Sequence, residues 1–175
     1  MKTPLLPVLA LGLALFLGGC VSYAPTIPTG YAGPRAKVRD TALTHSSSKV
    51  DFFCVDKVNG GNVEDSGTRT RVANQGQGFM MNPQFVDHEF PAGQAVKLTL
   101  RARTQYAADI LALTNPVYEV KGEISFTPEA DHTYAVKGVL GESYSAVWLE
   151  DTATQHVVDR KIEVQGSAKL GFWSK

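Results

Sequence analysis

From Arg35 onward the chain alternates apolar and polar residues with a period of two. The clearest case is Val96, Leu98, Leu100 and Ala102, interleaved with Lys97, Thr99, Arg101 and Arg103. A period of two places one set on a dry face and the other in water, and so predicts a β-strand. Similar runs occur at Ala36/Val38, at Val86/His88/Phe90, and at Tyr118, Val120, Gly122, Ile124 and Phe126. Tyr134, Val136 and Gly138 form another, and Val158, Ile162 and Val164 a further one. Residues 50–58 are strand-like with apolar residues on both faces, and residues 144–150 read as an apolar strand with Trp148. The first of these is therefore expected to be a central strand.

Between the runs lie turn signals. Asn59-Gly60-Gly61-Asn62 tolerates positive φ and predicts a hairpin, with residues 63–66 and 68–72 as the returning strand and a bulge at Gly67. Pro91-Ala92-Gly93, residues 127–131 and residues 151–154 mark further turns, and residues 44–48 read as a polar loop. Residues 74–84 are rich in glycine and amides and read as a long loop. One helix is expected, over residues 104–114, where Tyr106, Ile110 and Leu113 share a helical face and Asn115-Pro116 stops it. The tail around Leu170–Trp173 could add an edge strand. Seven to nine short strands at this spacing predict an all-β fold, an antiparallel β-sandwich, over residues 35–175.

The N-terminus has a different pattern. Lys2 is followed by an apolar stretch from Leu5 to Leu17, then Gly18, Gly19 and Cys20. This is the three-part layout of a secretory signal. Its apolar stretch is shorter than the ~20 residues a membrane span needs. Residues 21–34 contain Pro25, Pro28 and Pro34 with Gly30 and Gly33, and read as a tether in part of polyproline II form. Tyr23, Ile27 and Tyr31 are the residues of this stretch able to pack back on the domain.

Leu17-Gly18-Gly19-Cys20 resembles the processing site of bacterial lipoproteins: an aliphatic residue, two small residues and a cysteine. The resemblance implies removal of residues 1–19, a diacylglyceryl thioether on Cys20 and an acylated amino group. Acyl chains contribute about 0.8 kcal/mol per buried CH₂, and stable anchoring takes more than one. Val21 stands where an aspartate tends to hold such proteins in the inner membrane, so the resemblance further implies the outer membrane, facing the periplasm. The run from Pro91-Ala92-Gly93 through Phe126, Tyr134 and Trp148 to Val157-Val158 also resembles the small immunoglobulin- or transthyretin-like modules of envelope lipoproteins. That likeness implies a fold and no activity.

Composition adds limits. About 156 residues remain after processing, the size of one domain. Lys plus Arg and Asp plus Glu number 17 each, so no net charge favours nucleic acid. With Cys20 acylated, Cys54 is left without an intrachain partner and reads as a small buried hydrophobe. His45, His88, His132 and His156 are scattered singly, without zinc spacing. His88 lies on the apolar parity of its strand, and His132 and His156 fall at turns.

No Gly-Xaa-Ser-Xaa-Gly and no phosphate-binding glycine loop occurs, and no cofactor is implied beyond the covalent lipid. Glu64-Asp65 and Glu150-Asp151 are adjacent residues that face opposite ways on a strand. The remaining chemistry is aromatic. Tyr144, Trp148 and Trp173 could stack on a sugar ring with Asn74 and Gln77 as hydrogen-bonding amides, although Trp148 reads first as the core tryptophan of a sandwich and Trp173 is the better placed for exposure.

The expectation is a non-enzymatic structural or interaction module that presents an edge strand or a loop end to an envelope protein. A glycan- or peptidoglycan-binding module is the alternative. An enzyme would require His88 or His132 to meet a carboxylate in a pocket.

Overall fold

The computed structural model describes residues 22–175. Leu17, Gly18, Gly19 and Cys20, with the rest of the expected signal and Val21, lie outside the described residues. Ten strands form two packed sheets: β1 (Arg35–Arg39), β2 (Thr41–Ser46), β3 (Lys49–Val58), β4 (Gly61–Asn62), β5 (Asp87–Pro91), β6 (Val96–Tyr106), β7 (Glu119–Phe126), β8 (Thr133–Val139), β9 (Tyr144–Asp151) and β10 (Val157–Gln165). The first sheet runs β10-β9-β8-β1-β5, and the second β2-β3-β6-β7 with β4 on the end of β3. All ladders are antiparallel except β1 against β8, which is parallel. The architecture is a β-sandwich.

Alternation produces the core as expected. Val38, Phe90, Val136, Val147 and Leu149 face inward from the first sheet, and Phe53, Val55, Leu98, Leu100, Val120 and Ile124 from the second. Each such burial is worth about 1.5–3 kcal/mol. The doubly apolar β3 is central, as its pattern predicted. Its other face, Val50, Phe52 and Cys54, forms a small second core under Met81. Burial pushes the Cys54 thiol well above its usual pKa, so it stays protonated and inert.

Several expectations are corrected. Residues 66–73 are not a returning strand but helix α1 (Ser66–Ala73). Asp65 caps it, its Oδ1 accepting from Thr68 N at 3.0 Å, and this cap outweighs the weak strand propensity of the segment. A second helix, α2, covers only Asp109–Thr114. Thr104, Gln105 and Tyr106 instead continue β6, because Lys49, Val50 and Asp51 extend the ladder beside them. The sandwich thus carries two short α-helices, where the sequence suggested at most one. The tail forms a 3-10 turn at Phe172–Ser174, not a strand.

Residues 44–46 pair with β3 as part of β2. The polar row of β6 is less wet than its pattern implied. Arg101 is paired with Asp56 at 3.0 Å and Asp65 at 3.2 Å, and Arg103 with Glu119 at 2.7 Å.

Asp40 marks the corner where the chain leaves the first sheet for the second. Its buried carboxylate accepts from Val55 N through Oδ1, and from both the N–H and the hydroxyl of Ser66 through Oδ2, each at 2.9 Å. Residues from Ala24 to Pro34 lie against the domain and do not form a free tether. Ala24 N donates to Asn62 O at 2.8 Å. Pro25, Thr26 and Pro28 line a crevice with Val58, Phe90 and Val96.

Candidate functional site

Strand directions define two ends. The N-terminal segment docks beside Val58 and Val96, at one end of the β3–β6 ladder. At the opposite end, Lys49 faces Tyr106. Here α1 terminates and residues 74–82 turn, with α2 and the C-terminus alongside. A groove of about 420 Å³ runs between the end of α1, the glycine loop and residues 105–109. It continues into a second hollow that reaches Leu113, Val117 and Lys175.

This end gathers exposed apolar side chains: Val72 on α1, Phe79 and Met80 in the loop, Ile110 and Leu113 on α2, and Phe172 and Trp173. Trp173 is 93% exposed, its ring edge-on to Phe172 at 5.1 Å. The loop's Met81 is buried against Val50, Phe52 and Cys54, its N–H bonded to Ser47 O at 2.7 Å, whereas Phe79 and Met80 are exposed. Lys175 Nζ donates to the carbonyls of Asn115 at 2.8 Å and Leu113 at 3.3 Å, holding the tail beside α2.

The residues singled out for sugar binding do not converge. Asn74 pins the loop: its Nδ2 donates to Thr70 O at 2.8 Å and Asn82 O at 2.9 Å, and its Oδ1 accepts from Asn82 N at 2.8 Å. Gln77 Nε2 donates to Ala73 O at 3.2 Å, closing the end of α1. Both amides are therefore occupied within the loop. Trp148 is not the core tryptophan. Val147 and Leu149 take the inward parity of β9, which leaves Trp148 on the outer face of the first sheet. Lys161 Nζ lies 4.3 Å above its ring, and its Nε1 donates to Glu150 at 3.2 Å. Tyr144 shares that face and donates to Glu163. Of the aromatic candidates Trp173 alone is fully exposed at the apolar end; Tyr144, at the same end of the first sheet, is half-buried.

His88 and His132 both meet a carboxylate, in different surroundings. His88 is buried, its Nε2 3.5 Å from Asp40 Oδ1 and without a hydrogen-bond partner. His132 lies at the end near the N-terminal segment, in a cleft of about 510 Å³ between the β7–β8 and β9–β10 turns. Its Nδ1 donates to Asp151 Oδ2 at 2.6 Å, and its Nε2 is 3.6 Å from Glu129. Asp151 Oδ1 accepts from the N–H groups of Ala153 and Thr154. The bond to His132 and these N–H groups hold the Asp151 carboxyl at about 2, and the same bond raises His132. Among the described residues no hydroxyl or thiol is hydrogen-bonded to His132, and no group of three or more His, Cys, Asp or Glu could hold a metal ion.

The pair makes a pH-dependent prediction. Because the folded state raises His132, its contribution is full below the ordinary imidazole value and is lost as pH climbs through the raised one. Because the folded state lowers Asp151, its contribution is full above the ordinary carboxylate value and is lost as pH falls toward about 2. The melting-temperature gap between wild type and His132→Ala is therefore expected to be widest between about pH 4 and 6.5, and to shrink on the alkaline side. A gap of equal size at about pH 5 and pH 9 would refute the coupling.

The gathering of apolar side chains at one end had only a partial signal in the sequence. Phe79-Met80-Met81 and the two apolar helix residues Ile110 and Leu113 were visible, but their juxtaposition depends on the ladder register. Compared with protein-family models, curated proteins and solved structures, the chain finds no match.

Proposed function

We propose that this protein is a lipid-anchored, non-enzymatic module of the bacterial envelope, which holds another envelope protein at the end of the sandwich farthest from its anchor. The observation that carries this reading is the segregation of the two ends. The N-terminal segment is docked at one end, and seven of the twelve exposed large hydrophobics among the described residues lie at the other. Contiguous exposed apolar side chains on a soluble domain mark interaction sites. Here they have a polar rim, with Arg71 3.9 Å from Asp109 and Lys175 beside α2, as protein interfaces do.

The proposed anchor is Cys20, after removal of residues 1–19, in the outer membrane facing the periplasm. Ala24 already lies on the domain. Four residues span at most ~14 Å, so the docked end would stay close to the lipid. The partner proposed for the far end is a protein with an apolar surface. The glycan reading has less support, since Asn74 and Gln77 bond their own loop. The enzyme reading has less support too, since His132 faces two carboxylates and no nucleophile.

The test is envelope fractionation of the full chain followed by affinity purification at high salt. Wild type is expected in the membrane fraction with a co-purifying protein. Cys20→Ala is expected to leave that fraction or to remain unprocessed. The double variant Leu113→Ser, Trp173→Ala is expected to stay membrane-bound and lose the partner. Normal maturation of Cys20→Ala would sink the anchor, and retention of the same partner by the double variant would sink the docking site.

A further inference from the structure

Each sheet has two edges, and three of the four are protected. β5 has five residues, among them Asp87 and Glu89, and ends in Pro91. β10 carries Asp159, Arg160, Lys161 and Glu163, and is interrupted by a register shift between Val158 and Ile162, with Asp159 at φ +63°. β7 is screened by β10 and the C-terminal segment: Arg160 donates to Glu123 O at 3.1 Å, and Glu119 N donates to Ala168 O at 3.0 Å. Charge, proline, bulges and cover are the usual means by which edge strands avoid further pairing.

β2 has no charge or proline along residues 41–44; its register shift comes only after Thr44, and the cover it has is at Thr41, whose hydroxyl donates to Val136 O of β8. Its sequence is Thr-Ala-Leu-Thr-His-Ser, without a charged residue other than His45 if protonated, and His45 is already 2.7 Å from Asp51 of β3. Leu43 is 51% exposed.

The direction of its backbone groups can be assigned. Val55 N points to Asp40, on the β2 side of β3, so the odd-numbered residues of β3 bond toward β2. Thr41 and Leu43 stand opposite Phe53 and Asp51, and their N–H and C=O therefore face β3. Those of Ala42 and Thr44 face outward. Among the described residues they have no backbone partner.

We propose that β2 is a self-association edge, and that its occupant is β2 of a second copy of this chain, running antiparallel about a two-fold axis at Leu43. The register follows from the free groups. Ala42 stands opposite Thr44 of the second copy, and each exchanges N–H and C=O with the other, on both sides of the axis. Leu43 faces its own counterpart as a non-hydrogen-bonded pair, the class in which side chains come closest. The strand is self-complementary because no charge meets its like, and an isologous contact of this kind closes on itself. The second sheets of both copies then join into one, and the two N-terminal segments lie at its opposite ends. The contact is small compared with a standard interface, so the dimer is concentration-dependent. This inference requires neither the anchor nor the partner proposed above.

The test uses the full chain in detergent under mild oxidation. Leu43→Cys puts two thiols across the axis at a Cα spacing of ~4.5 Å, within disulfide range. It is expected to form a disulfide-linked dimer at least about tenfold faster than Val157→Cys, an exposed cysteine on β10. Adding Thr44→Pro, which removes only an outward N–H, is expected to abolish that advantage with the far-ultraviolet dichroism unchanged. Leu43→Lys keeps every backbone bond and is expected to remove concentration-dependent dimers in sedimentation. Equal rates for the two cysteines, or dimers unaffected by Leu43→Lys, would overturn the proposal. Disulfide dimers of the wild type would instead report an unacylated Cys20, and so speak against the anchor and not the edge.

Discussion

Asp40→Ala is expected to cost about 3–5 kcal/mol of folding stability, enough to threaten a domain of this size. Asp40 contributes through the groups it satisfies. Removing its carboxylate leaves the N–H of Val55 and both the N–H and hydroxyl of Ser66 without acceptors in the interior. Ser66 in turn accepts from Val86 N at 2.9 Å, so the loss spreads to the start of β5. The carboxylate therefore joins the corner between the sheets, the centre of β3, the start of α1 and the entry to β5.

Asp40→Asn keeps the size but turns an amide N–H₂ toward donors. It is expected to fall between wild type and Asp40→Ala. Urea denaturation followed by circular dichroism measures both. A loss below about 1 kcal/mol for Asp40→Ala would mean that water or relaxation satisfies these donors.

The second large effect is expected at Gly138. A Cβ built there would lie 2.7 Å from Phe53 Cε1 and 2.8 Å from the Ala146 carbonyl oxygen. Gly138 is on the inward parity of β8, and Phe53 of the facing sheet occupies the space its side chain would need. Gly138→Ala is expected to destabilise by about 1–3 kcal/mol through overpacking, in spite of alanine's better backbone entropy. Gly171→Ala is the control, because nothing lies within 4 Å of its Cβ position, and its effect is expected to stay within about 0.5 kcal/mol. Thermal melts of the two variants compare them directly. Similar values would show that the Phe53 ring can move aside freely.

Both sites show where local pattern stops being informative. Gly138 continues the alternation after Tyr134 and Val136, and nothing nearby in sequence announces Phe53. Asp40 reads as a polar residue between two strands, and its three donors come from positions 55 and 66. Trp148 is a similar case. Its apolar strand suggested a core tryptophan, but Val147 and Leu149 take the inward row and leave Trp148 outside. The amides of Asn74 and Gln77 suggested ligand contacts, but a loop without regular structure must satisfy its own backbone, and they do that. α1 escaped because its eight residues lack an apolar stripe, and only the Asp65 cap marked it.

By itself the sequence determined the fold class, the inward rows of β6 and β7, the centrality of β3 and the buried state of Cys54. These follow from period-two alternation and turn chemistry, which act over a few residues. It also displayed the Leu17-Gly18-Gly19-Cys20 motif, on which the anchor proposal rests. Only the tertiary structure decided which strands share a sheet, which edge stays open and which end collects the exposed apolar groups. Those features depend on pairings between residues tens of positions apart, such as Ala36 with Phe90 and Lys49 with Tyr106. Their register is chosen by the packing of the whole core and leaves no local trace.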